Sequence, residues 1–173
     1  MTLNYYDLTV PLLIKNVQSL KHFFEKGWAA AQESGLSEAD FLGHTLAPDM
    51  FPLIKQIQIA TDNAKAIPAR LSGRDMIKLE DTETTVAELH ARIDTVLEHL
   101  STYTPEQFVA AEEKKITLPY IPGQYVEAKD YLLDFALPNF FFHMTTAYAI
   151  IRTQGVPLGK MDFVGNQKLH PIV

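Results

Sequence analysis

Apolar residues at Leu13, Val17, Leu20, Phe24, Trp28 and Ala31 recur at the spacing of one helix face, while Lys15, Gln18, Lys21, His22 and Glu25 occupy the others. This pattern predicts a helix from about Thr9 to Ser34, with Pro11 near its start, where a missing N–H costs little. Ser37 is a candidate N-cap for a single turn after it. A second stripe, Leu53, Ile57, Ala60, Ala64, Ile67 and Leu71, predicts a long helix from about Pro48 to Ser72, closed by Gly73. Pro68 falls late in it and predicts a kink or break near Lys65. After a charged crossover over residues 73–81, Thr85 and Glu88 form a capping-box pattern. They open a third helix whose stripe is Leu89, Ile93, Val96, Leu97 and Leu100.

Beyond Leu100 the pattern changes. Thr104-Pro-Glu-Gln107 predicts one short turn, and Lys115–Tyr120 and Gln124–Glu127 flank the turn signal Ile121-Pro-Gly123. A small β-hairpin is expected there, lying against the helices because an isolated hairpin is marginal in water. A fourth helix, rich in aromatic residues, runs from about Lys129 to Gln154 and stops at Gly155, with a polar tail behind it. The predicted fold class is all-α: one four-helix-bundle domain over residues 1–173, with the hairpin in the connection between helices three and four. That connection is long enough to let helices three and four run parallel.

Composition narrows the chemistry. With no cysteine in the chain, disulfides, thiolate nucleophiles and cysteine metal sites are excluded. A net charge of −6 and no basic run argue against a nucleic-acid partner. No apolar stretch reaches the roughly 20 residues of a membrane span, and the N-terminal residues lack a signal-peptide pattern, so the expected address is the cytoplasm. The nucleotide-binding glycine motifs, the G-x-S-x-G elbow and the HxxxH and HExxH spacings are all missing from the sequence.

Two polar groups stand out. Asn139 and His143 are four residues apart and share a helix face, and Pro138 frees a backbone carbonyl beside them. An inward Asn–His pair needs hydrogen bonds, whether as a structural pair that fixes helix register or as part of a ligand or metal pocket. Asp49, Gln56, Gln58 and Asp62 form the second group, on helix two, either as a solvated polar face or as partners of His143. His22 and His99 fall on polar faces and are expected to be exposed. The run Glu80-Asp-Thr-Glu83 reads as compensation of a helix dipole.

Leu46-Ala-Pro-Asp-Met-Phe-Pro-Leu53, Gln58-Ile-Ala60, Leu137-Pro-Asn-Phe-Phe-Phe-His143, Thr145-Thr-Ala-Tyr148 and Gly155-Val-Pro-Leu-Gly159 together resemble a bacterial family of domains of unknown function. That family is similar to the DinB/YfiT-like four-helix bundles, which are often homodimers. The resemblance implies a homodimer here too. Many members of the wider superfamily bind a divalent metal through three histidines, one on the second helix and an HxxxH pair on the fourth. Some of them use low-molecular-weight thiols. By this resemblance His143 matches the second His of the pair and Asn139 the first, while helix two contains no His. A Zn²⁺ or Ni²⁺ site would then consist of His143, Asn139 and a helix-two carboxylate such as Asp62, and an amide is a poor replacement for imidazole at these ions. Three functions follow as expectations: a small-ligand-binding or interaction protein, a divalent-metal-dependent hydrolase or thiol transferase, and a structural homodimer without a ligand.

Overall fold

The computed structural model describes residues 4–172. Its long helices are α1 (Val10–Glu33), α3 (Leu53–Ser72), α4 (Val86–Ser101) and α6 (Leu137–Thr153), with a short α2 (Glu38–Gly43) between the first two. The stripes read from the sequence share a common core that includes Leu13, Phe24, Ile57, Ile67, Ile93 and Phe140, with Trp28 and Leu97 partly buried against it. Among the described residues, no helix is long and apolar enough to cross a membrane.

Cross-helix contacts set the directions. Lys21 pairs with Asp94 and Glu25 faces His90, so α1 and α4 run antiparallel. His143 bonds Gln56 and Asn139 bonds Asn63, so α3 and α6 are antiparallel as well. Arg92 reaches Asp62, and Arg74, just past α3, reaches Thr102 at the end of α4. The parallel pair is therefore α3 and α4, joined by a crossover that returns along α3. Helices three and four of the sequence reading, α4 and α6, run in opposite directions, contrary to the expected parallel arrangement. The returning crossover, rather than the decorated connection after α4, makes the parallel step.

Other boundaries also moved. The second long helix starts at Leu53, not Pro48, and residues 48–49 form a turn before it. Phe51 precedes Pro52 and is therefore held away from helical geometry. Pro68 does not break α3, which continues to Ser72 and ends on left-handed Gly73. Pro68 lies within the last turns of α3 with its ring buried, so the helix loses one backbone bond there without ending. The hairpin forms, but its strands are only Lys115–Ile116 (β1) and Val126–Glu127 (β2), with Lys115 opposite Glu127.

The fourth long helix is composite. A three-residue α5 (Ala128–Asp130) leads into a π-helical stretch, Tyr131–Ala136, and then into α6. The N–H of Leu137 reaches back five residues to the carbonyl of Leu132. Pro138 supplies the cause, because its ring would meet the carbonyl four residues back in a regular α-helix and a wider turn relieves that contact. The tail is not merely polar either: α7 (Lys160–Val164) packs on α1, with Phe163 stacked on Phe23 at 6.3 Å between ring centroids.

Candidate functional site

The contact between α3 and α6 is made by amide chains as well as by apolar packing. Gln56 Nε2 donates to the carbonyl of Phe51 at 3.0 Å, which turns its Oε1 toward His143 Nδ1, 2.7 Å away. A carbonyl can only accept, so the amide orientation is fixed and His143 must donate from Nδ1. Burial lowers the His143 pKa and keeps the ring neutral. Nε2 therefore carries the lone pair. It has no hydrogen-bond partner among the described residues and is not among their fully buried unpartnered atoms, so it meets solvent although the residue is only 9% exposed. The flanking rings Phe51 and Phe142 are 57% and 55% exposed, an apolar rim around this link.

Further along the same helices, Asn139 Nδ2 donates to Asn63 Oδ1 at 3.0 Å, and Asn63 Nδ2 donates to the carbonyl of Ile59 at 2.9 Å. The two residues singled out on α6 thus do not bond each other. Each finds its own amide on α3.

Gln58 and Asp62 turn instead toward α4. Arg92, with a side chain 1% exposed, donates Nε to Thr61 Oγ1 at 2.8 Å, Nη2 to Asp62 Oδ1 at 2.6 Å and Nη1 to Glu83 Oε1 at 2.9 Å. Asp81 lies 3.1 Å from the same guanidinium and also pairs with Lys55. Burial pushes the Asp81 pKa up, but Lys55 and Arg92 outweigh that and hold it below the usual carboxylate value. Gln58 Nε2 completes the cluster by donating to Glu83 Oε2 at 2.8 Å. The acidic run is therefore a clamp on a buried arginine rather than compensation of a helix dipole. Arg92 escaped the sequence reading although a signal was present, since a charged residue three after Leu89 and beside Ile93 falls on the apolar stripe.

Other expectations change too. Asp49 is exposed in the turn before α3 and takes no part in either cluster. His22 is exposed as expected, whereas His99 is half-buried, 3.0 Å from Tyr103 Oη, and burial lowers its pKa.

As a metal set, His143, Asn139 and Asp62 do not fit. Asp62, the one carboxylate of the set, is held by Arg92 and, at 2.8 Å, by Lys65, and a neutral amide is a poor replacement for imidazole. Among the described residues, no group of three or more His, Cys, Asp or Glu side chains is placed to hold a metal ion.

What the structure does bring together is a groove of about 370 Å³ between α3, the π-helical stretch and the hairpin loop, lined by Asp62, Asn63, Arg70, Tyr120, Phe135 and Asn139 among others. Lys65 lies in its wall, its charge taken up by Asp62. Asn63, Arg70 and Tyr120 were missed in the sequence. Asn63 is seven residues after Gln56 and so on the same face of α3, which is the one hint available. A larger concavity of about 440 Å³, walled by Tyr5, Leu8, Phe108 and Leu132, contains none of the residues singled out in the sequence.

Over residues 5–164 the chain matches the family described as "Domain of unknown function (DUF1993)". It is similar to the crystal structure of a DinB family member protein from Shewanella denitrificans, with 38% sequence identity and a TM-score of 0.92. That similarity covers 96% of this chain and 95% of the other. No curated protein matches.

Proposed function

Since the chain belongs to the DUF1993 family and shares the fold of a DinB family member, we propose that it is a small-ligand-binding protein whose ligand lies in the groove between α3 and α6. The observation that carries this reading is the meeting of Asp62 and Asn139, from separate helices, in one concavity beside a π-helical stretch. Such widened turns are frequent at functional sites, because they re-aim side chains at the cost of backbone regularity. A few convergent polar groups against aromatic walls are the ordinary makings of a small-molecule site. The metal-dependent hydrolase or thiol-transferase reading needs a set of ligating side chains, and among the described residues no three His, Cys, Asp or Glu side chains converge to hold a metal ion, while Asp62 is taken up by Arg92 and Lys65.

Titration of the isotope-labelled full chain with uncharged aromatic fragments tests the proposal. Chemical-shift changes should map to Asn63, Tyr120, Phe135 and Asn139, and Asn139→Ala should weaken binding. Fragments that perturb only the concavity around Tyr5 and Phe108 would refute the groove as the site.

A second reading concerns association. Phe51 and Phe142, both more than half exposed beside the His143–Gln56 link, favour a second copy of this chain as the partner that covers them.

A further inference from the structure

We infer that the groove takes a small organic carboxylate with a planar, hydroxyl- or amino-substituted apolar body, an assignment that rests on the groove being the ligand site. Two cationic side chains line it, and they differ in what they have left to offer. Lys65 is 9% exposed at its side chain and bound to Asp62. Arg70 has no carboxylate within 4.0 Å among the described residues. Its Nη1 donates to Tyr131 Oη at 3.0 Å, and its guanidinium lies 5.7 Å from the centroid of that ring. That contact orients the planar fork and leaves the N–H groups of Nε and Nη2 without a partner among the described residues. A free guanidinium edge suits a carboxylate, which it can hold through two parallel hydrogen bonds.

The rest of the groove describes the body of the ligand. Tyr120 and Phe135 form a tilted pair with centroids 6.1 Å apart, and both are substantially exposed, at 61% and 39%. They offer an apolar surface on which a planar group can pack. Asn139 uses its Nδ2 for Asn63, and its Oδ1 remains an acceptor for a ligand hydroxyl or amine. A volume of about 370 Å³ has room for a single substituted ring.

Calorimetric titration of the full chain with 4-hydroxybenzoate and with its uncharged isostere 4-hydroxybenzamide tests the assignment. The acid should bind at least about tenfold more tightly, as expected for a charge-assisted pair in a partly buried site. Arg70→Gln, which removes the charge and keeps a polar side chain, should bring the two affinities together while binding of the amide persists. Arg70→Lys keeps the charge and should retain part of the preference, and it replaces the Gln variant if that one does not fold. Equal affinities in wild type, or a preference that survives Arg70→Gln, would overturn the carboxylate assignment while leaving the groove as a ligand site. So would inorganic phosphate displacing the acid at equal concentration. Silence from both probes, with the uncharged fragments also silent, would overturn the groove reading as well.

Discussion

Truncating His143 to Ala strands Gln56 Oε1, which has only the imidazole to accept from, in a buried contact between two helices. We expect a loss of about 1–3 kcal/mol in chemical denaturation, the cost of leaving a buried polar atom unpaired. Gln56→Ala should cost a similar amount. The double variant should lose less than the sum, with a coupling of about 0.5–3 kcal/mol. Additivity would mean that the two side chains do not share a bond. The same pair predicts a pH dependence. Burial depresses the His143 pKa from 6.5, so the unfolded chain takes up its proton at a higher pH than the folded one. Stability from the neutral ring is therefore complete above about pH 6.5 and falls as the pH drops below it. His90 and His99, also depressed chiefly by burial, act in the same direction. Denaturation midpoints measured at pH 7.5 and 5.5 should differ, and the difference should shrink in His143→Ala.

At the scale of elements, the Arg92 clamp explains how a crossover with few buried apolar residues keeps a fixed path. Asp81 and Glu83 bind a guanidinium that is itself anchored to Thr61 and Asp62 on α3. Arg92→Ala removes the cation from Glu83, 11% exposed, while Asp62 and Asp81 keep Lys65 and Lys55, and should destabilise by about 1–3 kcal/mol. Faster amide exchange in residues 79–84 should accompany the loss, and unchanged exchange there would mean that the crossover is held some other way. The helices themselves were legible in the sequence because each needs only a period and a cap: the Thr85–Glu88 capping box is present as read, and α1 differs from its expected limits by one residue at each end. The start of α3 was misread because an apolar stripe says nothing of the Phe51-Pro52 restriction. The path of the crossover depends on partners far along the chain, which no local pattern contains. The partners of Asn139 and His143 were hidden for the same reason, although Gln56 stood among the candidates.

For the molecule as a whole, the up-down-down-up course of the four long helices brings α6 against α3 and leaves a face that carries both the groove and the exposed rings Phe51 and Phe142. If a second copy covers those rings, sedimentation should report about twice the chain mass of 19.5 kDa, and Phe142→Lys should return a monomer. A clean monomer at high micromolar concentration would refute that assembly. The face matters more for what it replaces. Where the family resemblance implied metal-binding histidines, this chain has amides already paired across the helices, and beside them a groove with an arginine that has no carboxylate partner among the described residues. If this face serves an organic ligand rather than a metal ion, as proposed, melting temperatures distinguish the two. Scans of the untagged chain with added Zn²⁺ or Ni²⁺, and with 4-hydroxybenzoate, should show a rise with the organic ligand only. A rise with either metal that disappears in His143→Ala would show instead that the face holds a metal ion.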